Sequence, residues 1–420
     1  MLKSVTYSLL TKLSVGCINF LILVVSSRYL GVVSRGEISI FLLNIMLMQV
    51  VNDVYTGYSI IHFIPKFNWK KLVFTGIIYT LIVCTLCNAI IVTIGRQLPG
   101  YSWSGYGLSL LVMLNTFNCV LILGKQNIRL YNVLCFIQPF ILFSGIIFWV
   151  FVLHQYTFES YFYPLVISFL ISCIISGATL FIKYPPKHQV DEFSIRPILL
   201  NGLLYQLSFW MLIFCNRYSY YLLPDNKAVG LYSSASVLAE SMLIISYAIS
   251  PVLISRSAHN ELNTDSRTIL SVAKTAAFLS IFLVALICLI PEKLYIWMLG
   301  PGFGGISEVL RYYSPGVVMV VFSTILGNFF VARGIQRTTV IAYGMGFLSS
   351  LVLAPLLVTQ YGKNGAAYNA IIAYGMITVA MTSAFLVHNH LNIKDLFSIH
   401  PDYRRMKSML GNRKRKETIS

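Results

Sequence analysis

The stretch Leu72-Val73-Phe74-Thr75-Gly76-Ile77-Ile78-Tyr79-Thr80-Leu81-Ile82-Val83-Cys84-Thr85-Leu86-Cys87-Asn88-Ala89-Ile90-Ile91-Val92-Thr93-Ile94-Gly95 contains no charged residue and no proline. Its length decides the fold. At about 1.5 Å of rise per residue, a helix this long crosses the roughly 30 Å hydrocarbon core of a bilayer. A barrel strand would need only about ten residues, alternating in character. Lipid offers the backbone no hydrogen-bond partner, so a run of this kind spans as a helix.

Similar windows recur on both sides, near 5–29, 38–64, 72–95, 106–124, 130–153, 162–182, 198–223, 229–254, 270–290, 307–332, 338–358 and 365–388. Twelve spans are expected. The composition agrees: the 420 residues are 57% hydrophobic and 11% charged, against about 25% charged in a soluble domain. The mean hydropathy is +0.75. A soluble protein is excluded. The first window follows Lys3 and Lys12 and lacks a small-residue cleavage site, so it reads as a retained span rather than a signal peptide.

Charge tests the count, because Lys and Arg collect in cytoplasmic loops. With the N-terminus inside, most of the 31 basic residues fall on one side, including Lys66, Lys70 and Lys71, Lys125 and Arg129, Arg333 and Arg337, and the basic tail. The other side holds Arg28, Arg35, Arg96, Lys227, Lys293 and Lys363. A miscounted span would invert the alternation downstream, and no inversion occurs. Both termini are therefore expected in the cytoplasm. The net charge of +17 needs no nucleic acid, since anionic headgroups attract juxtamembrane cations. Tyr101, Trp103 and Tyr106, then Tyr156, Tyr161 and Tyr163, then Tyr220 and Tyr221, Tyr295 and Trp297, and Tyr312 and Tyr313 cluster near the opposite loops. They are expected as rings at headgroup level.

All eight cysteines lie in apolar runs, where they act as small hydrophobes. Cys84 and Cys87 have no second pair to complete a metal set. No Walker loop, dinucleotide fingerprint or HExxH motif is present. The reading is a transporter rather than an enzyme, with no metal and no cofactor.

Two loops look alike. Arg28-Tyr29-Leu30-Gly31-Val32-Val33-Ser34-Arg35-Gly36-Glu37-Ile38 follows the first span, and Leu222-Leu223-Pro224-Asp225-Asn226-Lys227-Ala228-Val229-Gly230-Leu231-Tyr232 follows the seventh. Aligning Gly36 with Gly230 superposes them through a glycine-centred turn or close helix approach. With six spans on either side of the loop before Pro197, the pattern predicts two like-oriented bundles about an axis along the membrane normal, enclosing a cavity. The expected fold is an all-α polytopic membrane protein of about twelve transmembrane helices in two six-helix bundles related by a pseudo-two-fold. The expected division is an N-terminal bundle over 1–182, a cytoplasmic linker over 183–197, a C-terminal bundle over 198–388 and a basic cytoplasmic tail over 389–420.

Those two loops, together with Tyr361-Gly362-Lys363-Asn364-Gly365-Ala366-Ala367-Tyr368 and Leu299-Gly300-Pro301-Gly302-Phe303, give the chain a resemblance. It resembles the O-antigen (Wzx-type) polysaccharide flippases of the multidrug/oligosaccharidyl-lipid/polysaccharide exporter superfamily. The resemblance implies a bacterial inner-membrane protein that moves an undecaprenyl-diphosphate-linked sugar repeat to the periplasmic leaflet by alternating access. It also implies as partners the lipid-linked oligosaccharide, membrane lipids, and the polysaccharide polymerase and chain-length machinery.

An anionic cargo needs fixed cations, and arginine presents a planar, permanently charged fork to phosphate oxygens. A charge in mid-membrane costs at least about 2.5–3.5 kcal/mol, so it commonly faces a cavity and has a role. Arg217, Arg311 and Arg28 are the expected diphosphate-binding residues, in that order. Glu240 and Asp53 are the expected ion-coupling carboxylates, and Glu240 is close enough along the chain to pair with Arg217. Snorkelling to the interface is the bland reading of each arginine, and headgroup-level solvation that of Asp53. Asn44, Gln49, Asn52, Asn115, Gln138 and Asn328 also lie within spans, where interhelical hydrogen bonding is their commoner use. Two other classes compete: a cation-coupled multidrug exporter of the same superfamily, and a membrane polymerase or ligase, which would want a sizeable outer loop for its catalytic groups.

Overall fold

The computed structural model describes residues 2–64, 66–94, 102–183, 193–243 and 266–397, and every regular element among them is helical. Helices α1 (2–30) and α2 (32–56) form one continuous element broken at Gly31. Then follow α3 (Trp69–Ile94), α4 (Ser102–Gly124), α5 (Ile128–Phe151), α6 (Glu159–Lys183), α7 (Arg196–Arg217) and α8 (Asn226–Glu240). The other long helices are α9 (Ser266–Leu289), α10 (Ile306–Ala332), and α11 (336–361) and α12 (363–388), which are separated by Gly362; short helices lie at Ser219–Leu222, Glu292–Leu299 and Ile393–Phe397. The second half of the eighth expected span, with Pro251, lies outside the described residues, as do Tyr101, Arg96 and residues 398–420 of the basic tail. Among the described residues twelve long helices correspond in number and order to the twelve windows, the eighth in its first half.

Where the chain reverses, the structure corrects the sequence reading. The loop expected over 28–38 does not exist. The chain turns at Gly31 alone, with φ 83° and ψ 170°, a conformation open in practice only to glycine. Helix resumes at Val32, so Arg35, expected in an outer loop, lies in α2 and is buried. Gly362 turns the chain in the same way between α11 and α12, at φ 54°.

Helices α1–α6 pack into one bundle and α7–α12 into the other, joined chiefly by α2 against α8 and α7. In the first bundle Ser160, Ser168, Ser172 and Ser176 make a small buried face on α6, letting α4 and α5 approach closely. Asn115 accepts from Ser172 and Ser176 at 3.0 and 3.2 Å, and Gln138 donates to Ser168 at 3.1 Å. This polar layer separates an apolar cluster around Phe41, Ile146 and Phe162 from another around Tyr55, Leu72 and Phe117. The second bundle has one large core running from Leu299 and Phe303 to Phe329 and Phe385. Outward faces are apolar throughout: Phe278 is 74% exposed and Leu289 77%, which is stable only against lipid.

Gly36 and Gly230 are not turn centres. Both lie inside helices at the seam between bundles. A Cβ on Gly36 would sit 1.8 Å from the Asn226 carbonyl oxygen, and one on Gly230 would sit 2.0 Å from that of Val32. The two contacts are interchanged by the same offset that relates Ser39 to Ser233, whose hydroxyls bond at 2.8 Å across 194 residues. A residue that bonds its own repeat equivalent lies on the two-fold axis. The repeat is therefore real, but its glycines serve backbone contact rather than a positive φ.

The expected aromatic belt is also corrected in part. Trp103 is 88% exposed, and Tyr156, Tyr163 and Trp297 are exposed, as interface anchors should be. Tyr161, Tyr220, Tyr295 and Tyr313 are buried. The hydroxyls of Tyr220, Tyr295 and Tyr313 meet partners inside the protein, which a headgroup position would not require.

Candidate functional site

Asp225 caps α8, its side chain accepting the Ala228 amide at 2.7 Å. That fixed start places Tyr232, Ser236 and Glu240 at four-residue intervals on one helical face. Across from it, α7 ends in Asn216-Arg217 and one further turn, Ser219–Leu222. Asn369 of α12 holds this end in place, donating to the Cys215 carbonyl at 3.2 Å and to Ser350 at 2.9 Å.

Arg217 and Glu240 meet between the two faces. The guanidinium donates to Glu240 Oε2 at 2.6 Å, to Ser236 at 3.2 Å and to the Tyr220 hydroxyl. Glu240 Oε1 accepts from Asn216 Nδ2 at 2.5 Å and from the Tyr313 hydroxyl at 2.6 Å. Tyr232 donates to Asn216 Oδ1 at 2.6 Å, and the hydroxyls of Tyr313 and Tyr374 are 3.2 Å apart. Both charges are thus compensated and hydrogen-bonded, the condition for keeping an ion pair inside a membrane protein.

The pair lies on the wall of a cavity of about 350 Å³ within the C-terminal bundle. The cavity runs from Gln336 and Val331, at the end predicted cytoplasmic, to Arg217, Glu240 and Tyr374. Helix α10 lines it with Val331, Asn328, Thr324 and Val320 on successive turns, a depth of roughly 16 Å. Met46 of α2 and Leu204, Ser208 and Leu212 of α7 complete it on the seam side.

The other residues singled out in the sequence lie elsewhere. Arg311 is exposed on α10, outside this cavity. Arg28 is exposed at the end of α1, where it donates to the Trp297 carbonyl at 2.5 Å and stands 5.6 Å from that indole. Asp53 is half-buried in the other bundle. It accepts from Gln49 Nε2 at 2.6 Å and Thr56 Oγ1 at 3.3 Å, and lines a separate cavity of about 240 Å³ with Asn115 and Gln138. Of the five, the structure brings together Arg217 and Glu240.

Sequence reasoning missed Arg35. It is 7% exposed, its Nε has no hydrogen-bond partner among the described residues, and its Nη1 makes a long 3.5 Å contact to the Ser26 hydroxyl. Tyr161, Tyr220 and Arg217 are its electrostatic neighbours. The tyrosines were legible only as an aromatic cluster, without their inward direction.

Two six-helix bundles about an internal two-fold, with a polar cavity inside, make a fold similar to that of solved transporters described as members of the MOP superfamily. In particular, the chain is similar to an inward-facing multidrug resistance MATE family transporter of that superfamily, with a TM-score of 0.68 and 16% identity over 90% of this chain and 96% of the other. It is also similar to the lipid II flippase MurJ in an inward closed conformation, with a TM-score of 0.67 and 13% identity over 94% and 89%. A MOP superfamily transporter from Pyrococcus furiosus, described as having a binding pocket of reverse polarity, gives 0.66 and 15% identity over 94% and 97%. At these identities the likeness is one of fold. No protein-family model and no curated protein sequence matches the chain.

Proposed function

We propose that this chain is a flippase that carries an undecaprenyl-diphosphate-linked oligosaccharide repeat unit, of O-antigen or capsule type, from the cytoplasmic to the periplasmic leaflet of a bacterial inner membrane. Both termini lie in the cytoplasm on this reading, and the polymerase and chain-length machinery take the product. One observation carries it: a guanidinium, Arg217, stands on the wall of an intramembrane cavity with an exchangeable counter-ion, Glu240.

With the cavity empty, Glu240 neutralises Arg217. An incoming phosphate oxygen can accept from the same guanidinium nitrogen, Nη2, and replace the carboxylate. A proton taken up by Glu240 removes the charge left behind, and Asn216 and Tyr313 remain beside the neutral acid. Ion coupling then consists of one proton entering as one phosphate binds. Arg311, Arg28 and Asp53 have no place in this exchange. A cation-coupled drug exporter would instead pair a carboxylate with a cationic drug, whereas the carboxylate lining this cavity, Glu240, already faces a fixed cation, Arg217.

The test is export in cells. Arg217→Ala abolishes surface polysaccharide while the protein stays in the membrane, and Arg217→Lys retains part of the activity. Normal export by the alanine variant would refute the assignment.

A further inference from the structure

The half of the cavity toward the predicted cytoplasmic end has a chemistry of its own. Helix α10 brings Thr324 and Asn328 to it, and α11 brings Gln336, Thr339 and Tyr343. Steps of three and four residues put each set on one helical face. These hydroxyls and amides can both donate and accept, as sugar hydroxyls do. Among the described lining residues the charged ones are Arg217 and Glu240, at the far end. Gly327 keeps the wall open between the two sets. A Cβ there would stand 3.5 Å from the Tyr343 hydroxyl and 3.9 Å from Thr339 Cγ2.

Thr339 is 4% exposed, and its Oγ1 has no hydrogen-bond partner among the described residues. A buried hydroxyl left unpaired is destabilising, and on a cavity wall a ligand can supply the partner. Gly327, beside Thr339, lies about two turns from Val320 along α10, roughly 10 Å nearer the cytoplasmic mouth. A diphosphate held by Arg217 is too short to extend that far. The part of the headgroup that meets Thr339 is the saccharide beyond it.

We infer that this half of the cavity is a saccharide subsite built for an uncharged sugar, with Thr339 hydrogen-bonding a sugar hydroxyl. The inference rests on the flippase reading and adds a substrate class to it, a neutral hexose or N-acetylhexosamine chain. A uronic acid would carry its carboxylate to a wall without a cation, and burying that charge unpaired is unfavourable.

The experiment uses the full-length protein in nanodiscs and three probes: farnesyl diphosphate bare, carrying a disaccharide of N-acetylglucosamine, or carrying a disaccharide that ends in glucuronic acid. The parent binds the neutral-sugar probe about ten-fold more tightly than the bare one, and the acidic probe no more tightly than the bare one. Thr339→Val weakens the neutral-sugar probe about five-fold and leaves the bare probe unchanged. The same variant keeps or raises the melting temperature of the ligand-free protein, because a methyl group replaces an unpaired hydroxyl. Gln336→Leu also weakens the neutral-sugar probe alone. Equal binding of all three probes by the parent overturns the inference and leaves the flippase reading standing. Binding of none of them overturns both. An acidic probe that binds as tightly as the neutral one overturns the assignment to uncharged sugars. A Thr339→Val protein that melts lower, or loses affinity for the bare probe equally, makes Thr339 structural and overturns its role.

Discussion

Glu240 is the acceptor for three donors from two helices, Asn216 and Arg217 on α7 and Tyr313 on α10. Removing one partner of such a pair leaves the other charge uncompensated, which costs about 3 kcal/mol or more where the site is shielded from water. Glu240→Met is therefore expected to lower the melting temperature of the purified protein. Adding Arg217→Met to it recovers stability but not export. A double variant no more stable than the single one would show that the pair contributes little beyond packing. The sequence exposed this pair because a charge inside an apolar run stands out. Arg35 stood out less. At the edge of a run it read as a flanking charge, and only a one-residue turn at Gly31 draws it into the helix.

At the scale of helices, glycines set where the chain can turn and how near two backbones can come. Gly31→Ala puts a Cβ into a region closed to it, at a cost of about 1–3 kcal/mol, and is expected to lower thermal stability without affecting α8. Gly230→Leu has the opposite profile. Its φ is ordinary, but the side chain would meet the Val32 carbonyl, so α2 and α8 separate. The expected result is a protein that inserts but exports nothing and in which a Ser39→Cys, Ser233→Cys pair no longer crosslinks. Efficient crosslinking in that background would show that the contact tolerates bulk. The helix windows were legible in the sequence because lipid demands a fixed apolar length. The turns were not, since a helix end inside apolar sequence carries no compositional mark. The tyrosines misled for a related reason. An amphipathic ring suits a headgroup and also suits a buried polar network, and Tyr220 and Tyr313 belong to the network.

Over the whole molecule, α2 touches the C-terminal bundle at both ends. Gly36 and Ser39 meet α8 at one end, and Val54 meets Gly202 of α7 at the other, where a Cβ would fall 1.7 Å from the Val54 carbonyl. On the proposed flippase reading, a ligand moving between the bundles requires one of these contacts to part. Oxidising a Ser39→Cys, Ser233→Cys pair in cells should halt polysaccharide export, and a reductant should restore it. Export that continues with the pair fully crosslinked would show that the seam does not open during transport.

The sequence alone determined that the chain is a membrane protein, how many times it crosses, and that its two halves repeat. The first two follow from the backbone's need for internal hydrogen bonds in lipid and the length of apolar runs, and the third from the likeness of the segments around Gly36 and Gly230. Tertiary structure alone decided which polar side chains face one another. Arg217 meets Glu240 while Arg311 does not, and Arg35 is buried with no counter-ion among the described residues. These outcomes depend on the rotation of each helix about its axis and on backbone approach at Gly36, Gly202 and Gly230, which sequence spacing does not encode.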